Sequence, residues 1–373
     1  MKTLIGAASA LALAAGGALA GGIERTTQSA MILYEDGNYG ELSLGSASPS
    51  VSGTSRALGP FPAQKIDNVA DDYFLPGFGL KMDLGDNLSA ALIYDRPFGA
   101  DVKYDPLNPV LGGTSAQAST NALTALLKYQ INERVSAFGG LRYQTAEGDI
   151  GLQGAAYGPV SGYEVSLDRD AAAGYVLGVA YEVPEIALRV ALTYNSEITH
   201  EMGTRETIGG TPIAPPSVTE VKTPQSVNLD FQTGIAQDTL LFGSVRWVEH
   251  SAFRVDPQGF VGATGDGLID LEDTTTYRLG LGRRFSDKWT GSVTLAYEAP
   301  GDDLVSPLAP STGYTQVALG AAYQATEMMQ IAGGVSYTVL GDAKPETGTP
   351  DVARADFSDN DVVGVGLRVS FNF

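Results

Sequence analysis

The last segment of the chain alternates with a period of two. Val363, Val365, Leu367, Val369, Phe371 and Phe373 share one face, and Val362, Gly364, Gly366, Arg368, Ser370 and Asn372 share the other. Alternation at this period specifies a strand with one apolar and one polar face. The same pattern runs through Val317, Leu319, Ala321 and Tyr323, through Trp289, Val293, Leu295 and Tyr297, and through Tyr277, Leu279 and Leu281. Beyond the first twenty residues no run reaches the ~18 consecutive apolar residues of a membrane helix. A chain that crosses a membrane must then do so as a closed barrel, because lipid offers backbone groups no partners.

Connections decide between a soluble sandwich and a barrel. Short turns at 85–87, 132–133, 183–185, 236–238, 286–287 and 326–327 alternate with long polar loops near 54–67, 105–117, 154–162, 204–218, 256–269, 300–311 and 342–356. Outer-membrane barrels show this asymmetry, with short periplasmic turns and longer outer loops. Tyr129, Tyr181, Phe285, Trp289 and Tyr323 lie close to the short turns, as an interfacial girdle requires. The pattern predicts an all-β fold, a 14-stranded antiparallel transmembrane β-barrel in a Gram-negative outer membrane. Strands are expected at about 38–54, 68–84, 88–104, 118–131, 134–153, 163–183, 186–203, 219–236, 238–255, 270–285, 288–299, 312–325, 327–341 and 357–373. Residues 1–20, MKTLIGAASALALAAGGALA, read as a signal peptide. Residues 21–37 read as a short N-terminal plug, and 38–373 as the barrel. A terminal Phe373 on an alternating strand matches the signal recognised by the barrel-assembly machinery. A monomer surrounded by outer-membrane lipid is expected.

Composition narrows the chemistry. The chain has no cysteine, which excludes disulfides and thiol chemistry. A formal net charge of −20 argues against nucleic-acid partners. Of the two histidines, His200 is expected at the outer end of strand seven and His250 on strand nine, both as polar rim residues. His250 and Ser251 are adjacent on a predicted strand, so they face opposite sides and form no nucleophile–base pair. No catalytic residue, metal site or cofactor is expected. An outer-membrane hydrolase would need the missing pair; a surface adhesin would bind through its loops and leave the lumen empty.

Two features point to a site. With the apolar face outside, the inward face carries Lys128, Arg142, Arg189, Arg246, Arg278 and Arg368. Arg189 and Arg368, near the periplasmic end, read as internal salt-bridge partners of lumen acids and of Glu24, Glu35 or Asp36. For Arg142, Arg246 and Arg278 two roles stay open: the same structural pairing, or a basic site for a carboxylate head group, with Phe138 and Leu126 along the tail. The second feature is Arg96-Pro97-Phe98-Gly99, in the middle of strand three. Leu88, Ala90, Leu92 and Tyr94 set an outward phase that Arg96 and Phe98 continue. An arginine facing mid-bilayer costs roughly 2–4 kcal/mol, and Pro97 removes a ladder donor. The stretch is either a bulge near the outer rim or an inward kink that turns Arg96 towards water, solvates the orphaned carbonyl and leaves a gap in the wall.

Leu192-Thr193-Tyr194-Asn195-Ser196-Glu197-Ile198 resembles the Thr-Tyr-Arg-Ser-Glu-Val stretch of the FadL family of long-chain fatty-acid and hydrocarbon transporters, with Asn195 in place of the arginine. Tyr277-Arg278-Leu279-Gly280-Leu281-Gly282, followed by Ser286-Asp287-Lys288-Trp289-Thr290, is similar to its Tyr-Arg-Ile-Ala-Leu-Gly strand and Asp-x-Trp turn. Thr223-Pro224-Gln225-Ser226 stands where the family has Leu-Pro-x-x, and Val51-Ser52-Gly53-Thr54 closes the first strand as there. The resemblance runs from about residue 30 to the end. It implies passive transport of long-chain fatty acids or other hydrophobic small molecules, with lateral release through a kink in strand three at Arg96, Pro97, Phe98 and Gly99. The chain departs from the family in its plug: Gln28-Ser29-Ala30 replaces Asn-Pro-Ala, and the segment is short. That departure makes a general diffusion porin with a weakly plugged lumen the alternative.

Overall fold

The computed structural model describes residues 23–348 and 350–373; the expected signal peptide lies outside the described residues. Among them, fourteen antiparallel strands close into one barrel. They are β1 (Tyr39–Ser50), β2 (Tyr73–Asp83), β3 (Leu88–Asp95 and Gly99–Lys103), β4 (Ser115–Gln130), β5 (Val135–Leu152), β6 (Tyr163–Val183) and β7 (Leu188–Asn195 and Ile198–Ile208). They continue with β8 (Ser217–Thr223 and Ser226–Ala236), β9 (Thr239–Val248), β10 (Thr274–Arg284), β11 (Trp289–Glu298), β12 (Thr312–Gln324), β13 (Met329–Gly341) and β14 (Asp361–Asn372). The barrel closes where β1 pairs with β14, from Tyr39↔Asn372 to Ser50↔Asp361.

The alternation reads out as expected. Leu141, Leu279, Leu281, Leu319 and Leu367 are exposed on the outer wall, while Thr124, Arg142, Gln144, Asn228 and Arg246 are buried inside. An apolar outside over a polar inside inverts a soluble protein and matches a hydrocarbon solvent. Tyr129, Tyr181, Phe285, Trp289 and Phe373 are exposed near the short-turn end, and Tyr143, Tyr175, Tyr277, Tyr297 and Tyr337 are exposed farther up the wall. These two rings bound the apolar band.

The outer loops pack together rather than waving free. Two small sheets form there, Gly53–Ser55 with Gln64–Ile66 and Ala355–Phe357, and Leu304–Val305 with Lys344–Thr347 and Val352–Ala353. A short helix, α1 (Gln258–Thr264), is docked by Glu206, whose carboxylate accepts the Gly259 and Phe260 amides at 2.8 Å and the Tyr163 hydroxyl at 2.9 Å. Tyr104 donates to the Pro307 carbonyl at 2.9 Å. Phe98, Tyr104, Leu111, Tyr163, Phe260 and Phe357 belong to one buried apolar cluster across the outer half.

Several expectations are corrected. The 204–218 loop is mostly strand: β7 runs to Ile208, turns at Gly209 and Gly210, both with positive φ, and returns through Thr211–Pro212. Strand nine stops at Val248, so His250 sits in a 3-10 turn, buried, with Nδ1 3.3 Å from the Thr274 hydroxyl. Ser251 donates to Asp273 at 2.7 Å and does not meet the imidazole. His200 is inside the upper part of β7, fully buried, with Nδ1 3.1 Å from Asp170. Neither histidine is a rim residue. The interruptions of β7 and β8 are also new. Pairing jumps from Asn195↔Ser226 to Ile198↔Thr223, which leaves Ser196–Glu197 opposite Pro224–Gln225. Pro224 has no amide to donate, so the ladder breaks there.

Topology gives the first test. Epitope tags after Gly210 and Gly262 should be labelled on intact cells, and tags after Asp86 and Gln237 should not. Surface labelling at Asp86 would reverse the orientation.

Candidate functional site: the third-strand break and the lumen

Pairing between β3 and β4 jumps from Asp95↔Ala122 to Gly99↔Ser119, so three residues of β3 stand opposite two of β4. Within the break Phe98 turns inward and is buried, a correction to the outward phase expected for it. The freed backbone groups are not left to solvent. The Pro97 carbonyl accepts the amides of Arg25 at 2.8 Å and Thr26 at 3.3 Å, and the Gly99 amide donates to the Ile23 carbonyl at 2.8 Å. Phe98 donates to the Thr120 hydroxyl at 2.9 Å. The N-terminal segment therefore serves as a short substitute strand inside the break. Gly99 permits this approach, since a Cβ there would come within 3.1 Å of the Ala118 carbonyl and 3.3 Å of Arg25 Nε.

On its other side the wall is unpaired. β2 pairs with β3 only from Phe78↔Tyr94 to Asp83↔Ser89, while Tyr73–Gly77 pair with β1 alone. Pairing resumes above at Ala70↔Val102, with Lys103 donating to the Val69 carbonyl at 2.7 Å. Tyr73–Gly77 and Asp95–Gly99 thus frame an interruption in the ladder. Arg96 stays on the outer face, exposed, with Nε 3.2 Å from the Asn121 side-chain oxygen Oδ1, which also accepts the Tyr94 hydroxyl at 2.9 Å. Arg96, expected to turn towards water at an inward kink, is exposed on the outer face two residues beyond Tyr94, where a long cation reaches interfacial water.

Inside, the plug occupies the lumen. Glu24 pairs with Arg246 at 2.5 Å; Arg246 also donates to Ser226 at 3.0 Å, Asn228 at 2.5 Å and Gln28 at 3.0 Å. Gln28 holds a left-handed backbone, φ 52°, to present that oxygen. Farther down, the 3-10 turn Met31–Tyr34 packs Ile32, Leu33 and Tyr34 into a cluster with Leu126, Phe138 and Val176. The Tyr34 ring lies between Lys128 (4.5 Å) and Arg189 (4.4 Å). Arg189 binds Glu182 at 2.8 Å, and Arg368 binds Glu41 at 2.9 Å.

Between plug and wall lies a cavity of about 390 Å³. It is lined by Arg246 and Arg278, by the plug from Arg25 to Ser29, and by Gly77, Phe78, Tyr94 and Asp95 at the ladder interruption. Arg278 lies near Tyr314 and Glu298, and its Nε has no hydrogen-bond partner. The other residues named from sequence lie elsewhere. Arg142 donates to Thr124 at 2.9 Å and, with Leu126, borders a pocket of about 10 Å³ beside Gln28–Ala30. Phe138 meets Tyr34 edge-on at 6.2 Å. Sequence reasoning missed Arg25, whose guanidinium stacks 3.5 Å over Tyr73, and Asp95, which accepts the Thr26 hydroxyl at 2.6 Å. Strand phase places Asp95 inward; Arg25 had no such signal.

The sequence pattern of the family described as outer membrane protein transport protein (OMPP1/FadL/TodX) matches residues 22–373. The chain belongs to this family. Its fold is similar to that of a Pseudomonas aeruginosa FadL homologue, 15% identical over 96% of this chain and 97% of that one, with a TM-score of 0.75. It is also similar to the P. putida toluene transporter TodX (12% identity, 96% and 94% covered, TM-score 0.63) and to the CymD monoaromatic hydrocarbon channel (15%, 93% and 94%, TM-score 0.57). At these identities the likeness speaks for the fold. No curated protein matches the chain. The protein is an outer-membrane barrel of a FadL/TodX family that transports hydrophobic compounds.

Glu24 and Arg246 give the second test. Removing one partner of a buried ion pair costs about 3–5 kcal/mol, so Glu24→Ala should unseat the upper plug. Proteolysis from the periplasmic side should then cleave within residues 23–30 of a correctly assembled barrel. Parent-like resistance would show that the pair does not hold the segment.

Proposed function

We propose that the protein passes long-chain hydrophobic compounds, fatty acids or hydrocarbons, passively across the outer membrane and releases them sideways at the third-strand break. The observation that carries this reading is that Gly77, Phe78, Tyr94 and Asp95 belong both to the lumen cavity and to the interrupted β2–β3 ladder. A compound in the cavity has the bilayer as its nearest apolar phase. The downward route passes the cluster of Ile32, Leu33 and Tyr34 with Leu126 and Phe138. The apolar cluster in the outer half suits entry of apolar compounds and opposes hydrated ions, for which burial without partners is costly. That favours a selective channel over a diffusion porin.

Arg278 is the head-group candidate when the cargo is a carboxylate, because its Nε is unpartnered while Arg246 is engaged by the plug. A hydrogen bond to a charged group contributes roughly 1.5–3 kcal/mol. Arg278→Ala should therefore weaken oleate binding roughly ten- to hundredfold and leave toluene binding unchanged. Equal loss for both ligands would mean that Arg278 acts only on the fold.

The route is tested by straightening β3. Pro97→Val with Gly99→Ala restores a ladder donor and crowds the plug out of the break. The double variant should assemble and stay heat-resistant, and its uptake of long-chain ligand should fall sharply. Normal uptake by the assembled variant would assign the exit to the periplasmic side. Planar-bilayer recordings of the parent should show no large steady ion current; a stable open-pore current would support the porin instead.

A further inference from the structure

The lipid-facing wall beside the interruption carries a second cavity, a furrow of about 460 Å³ outside the barrel. That is within the ~300–1,000 Å³ of ordinary small-molecule sites. Its floor includes Ala90 of β3, Ala125 of β4 and Gly139 of β5. Their small side chains set the surface back between Leu80, Met82, Leu127 and Leu141. The furrow is apolar throughout, as hydrocarbon contact requires. It is continuous with the interruption: Phe78↔Tyr94, at the lower margin of the unpaired stretch, is followed two residues on by Leu80↔Leu92 and then by Met82↔Ala90. Above the furrow, on the same face of β3 as Ala90, Leu92 and Tyr94, stands exposed Arg96. Its guanidinium is oriented by Asn121, whose side-chain oxygen accepts from Nε at 3.2 Å. A rise of about 3.3 Å per residue places Ala90 about 20 Å from Arg96. With strands tilted about 35–45° that is about 15 Å of depth, one leaflet of hydrocarbon, so the span fits a single long alkyl chain.

We infer that Arg96 and this furrow form an external site for one long-chain carboxylate, with the head group on Arg96 and the tail along Leu92, Ala90 and Ala125. The charge selects an anionic head and the furrow selects a linear tail. The site would hold released cargo against the outer wall before it diffuses away. This inference rests on the lateral-release reading for where the cargo comes from, but binding can be measured without uptake.

The test uses the full-length protein in liposomes of neutral phospholipid, with a palmitate carrying a photoreactive diazirine added to the bilayer. Crosslinks should concentrate on peptides spanning residues 80–92 and 125–141. Arg96→Gln should lower that labelling about tenfold, the low end of what loss of a charge-assisted contact predicts, because the site is exposed. Ala125→Phe, which fills the furrow, should lower it similarly, while Leu319→Phe on the far wall should not. Unlabelled palmitate should compete, and an uncharged alkane of equal length should compete poorly. Labelling spread evenly around the barrel, or retained in both Arg96→Gln and Ala125→Phe, overturns the site. Displacement of the probe by phosphatidate but not by palmitate assigns the furrow to resident lipid and also overturns it. The straightened Pro97→Val, Gly99→Ala variant separates the two readings. If release fails to be lateral, its uptake stays normal whatever the labelling; if the external site is wrong, labelling is unspecific in the parent itself.

Discussion

A barrel wall in hydrocarbon has one rule that overrides the others: each backbone donor and acceptor needs a partner in the protein. Pro97 breaks that rule in β3, and the repair organises much of the site. Amides of Arg25 and Thr26 take the Pro97 carbonyl, and the Ile23 carbonyl takes the Gly99 amide. Because the repair comes from the N-terminal segment, the plug and the wall opening are one construction. The plug cannot leave the break without exposing those groups, and the break cannot close without expelling the plug.

The lumen charges follow from the same placement. Glu24 projects from the substitute strand and is met by Arg246 on β9, whose remaining donors go to Ser226, Asn228 and Gln28. Lower down, Tyr34 lies between the cations of Lys128 and Arg189 and donates no charge of its own. A short segment is thereby held at two levels, by an ion pair above and by ring–cation and apolar contacts below. These contacts seat the segment from Ile23 to Tyr34 inside the barrel.

The barrel was legible because its signal is redundant. Period-two alternation, short and long connections, and aromatic rings at the turns each point to fourteen strands, and the strand ends differ from expectation by a few residues where loops continue the ladder, as at Gly203–Ile208. The break in β3 was legible because proline and glycine carry their backbone limits with them. What fills it was not. Alternation states which face a residue takes, but not what lies opposite across a lumen, so Arg25 over Tyr73 and Phe138 against Tyr34 had no sequence signal. The same limit explains Arg96. Its outward phase agrees with the exposed side chain, while its partner Asn121, shared with Tyr94, carried no signal in the alternation.

The two ends of the path differ in the work they ask of a passing molecule. Above the cavity, entry means displacing apolar side chains such as Phe98, Tyr104 and Phe357, a cost that an apolar molecule largely repays through its own burial. Below it, passage means pulling Tyr34 from two cations and a packed apolar cluster. At the side, the margin consists of strand edges already unpaired at Tyr73–Gly77. For a hydrocarbon chain the proposed lateral step breaks no β2–β3 ladder bond and leads from a cavity lined by Asp95, Asp230, Arg246 and Arg278 into an apolar phase. A hydrated ion would have to shed its water against the apolar cluster of the outer half, a cost that an apolar molecule does not meet.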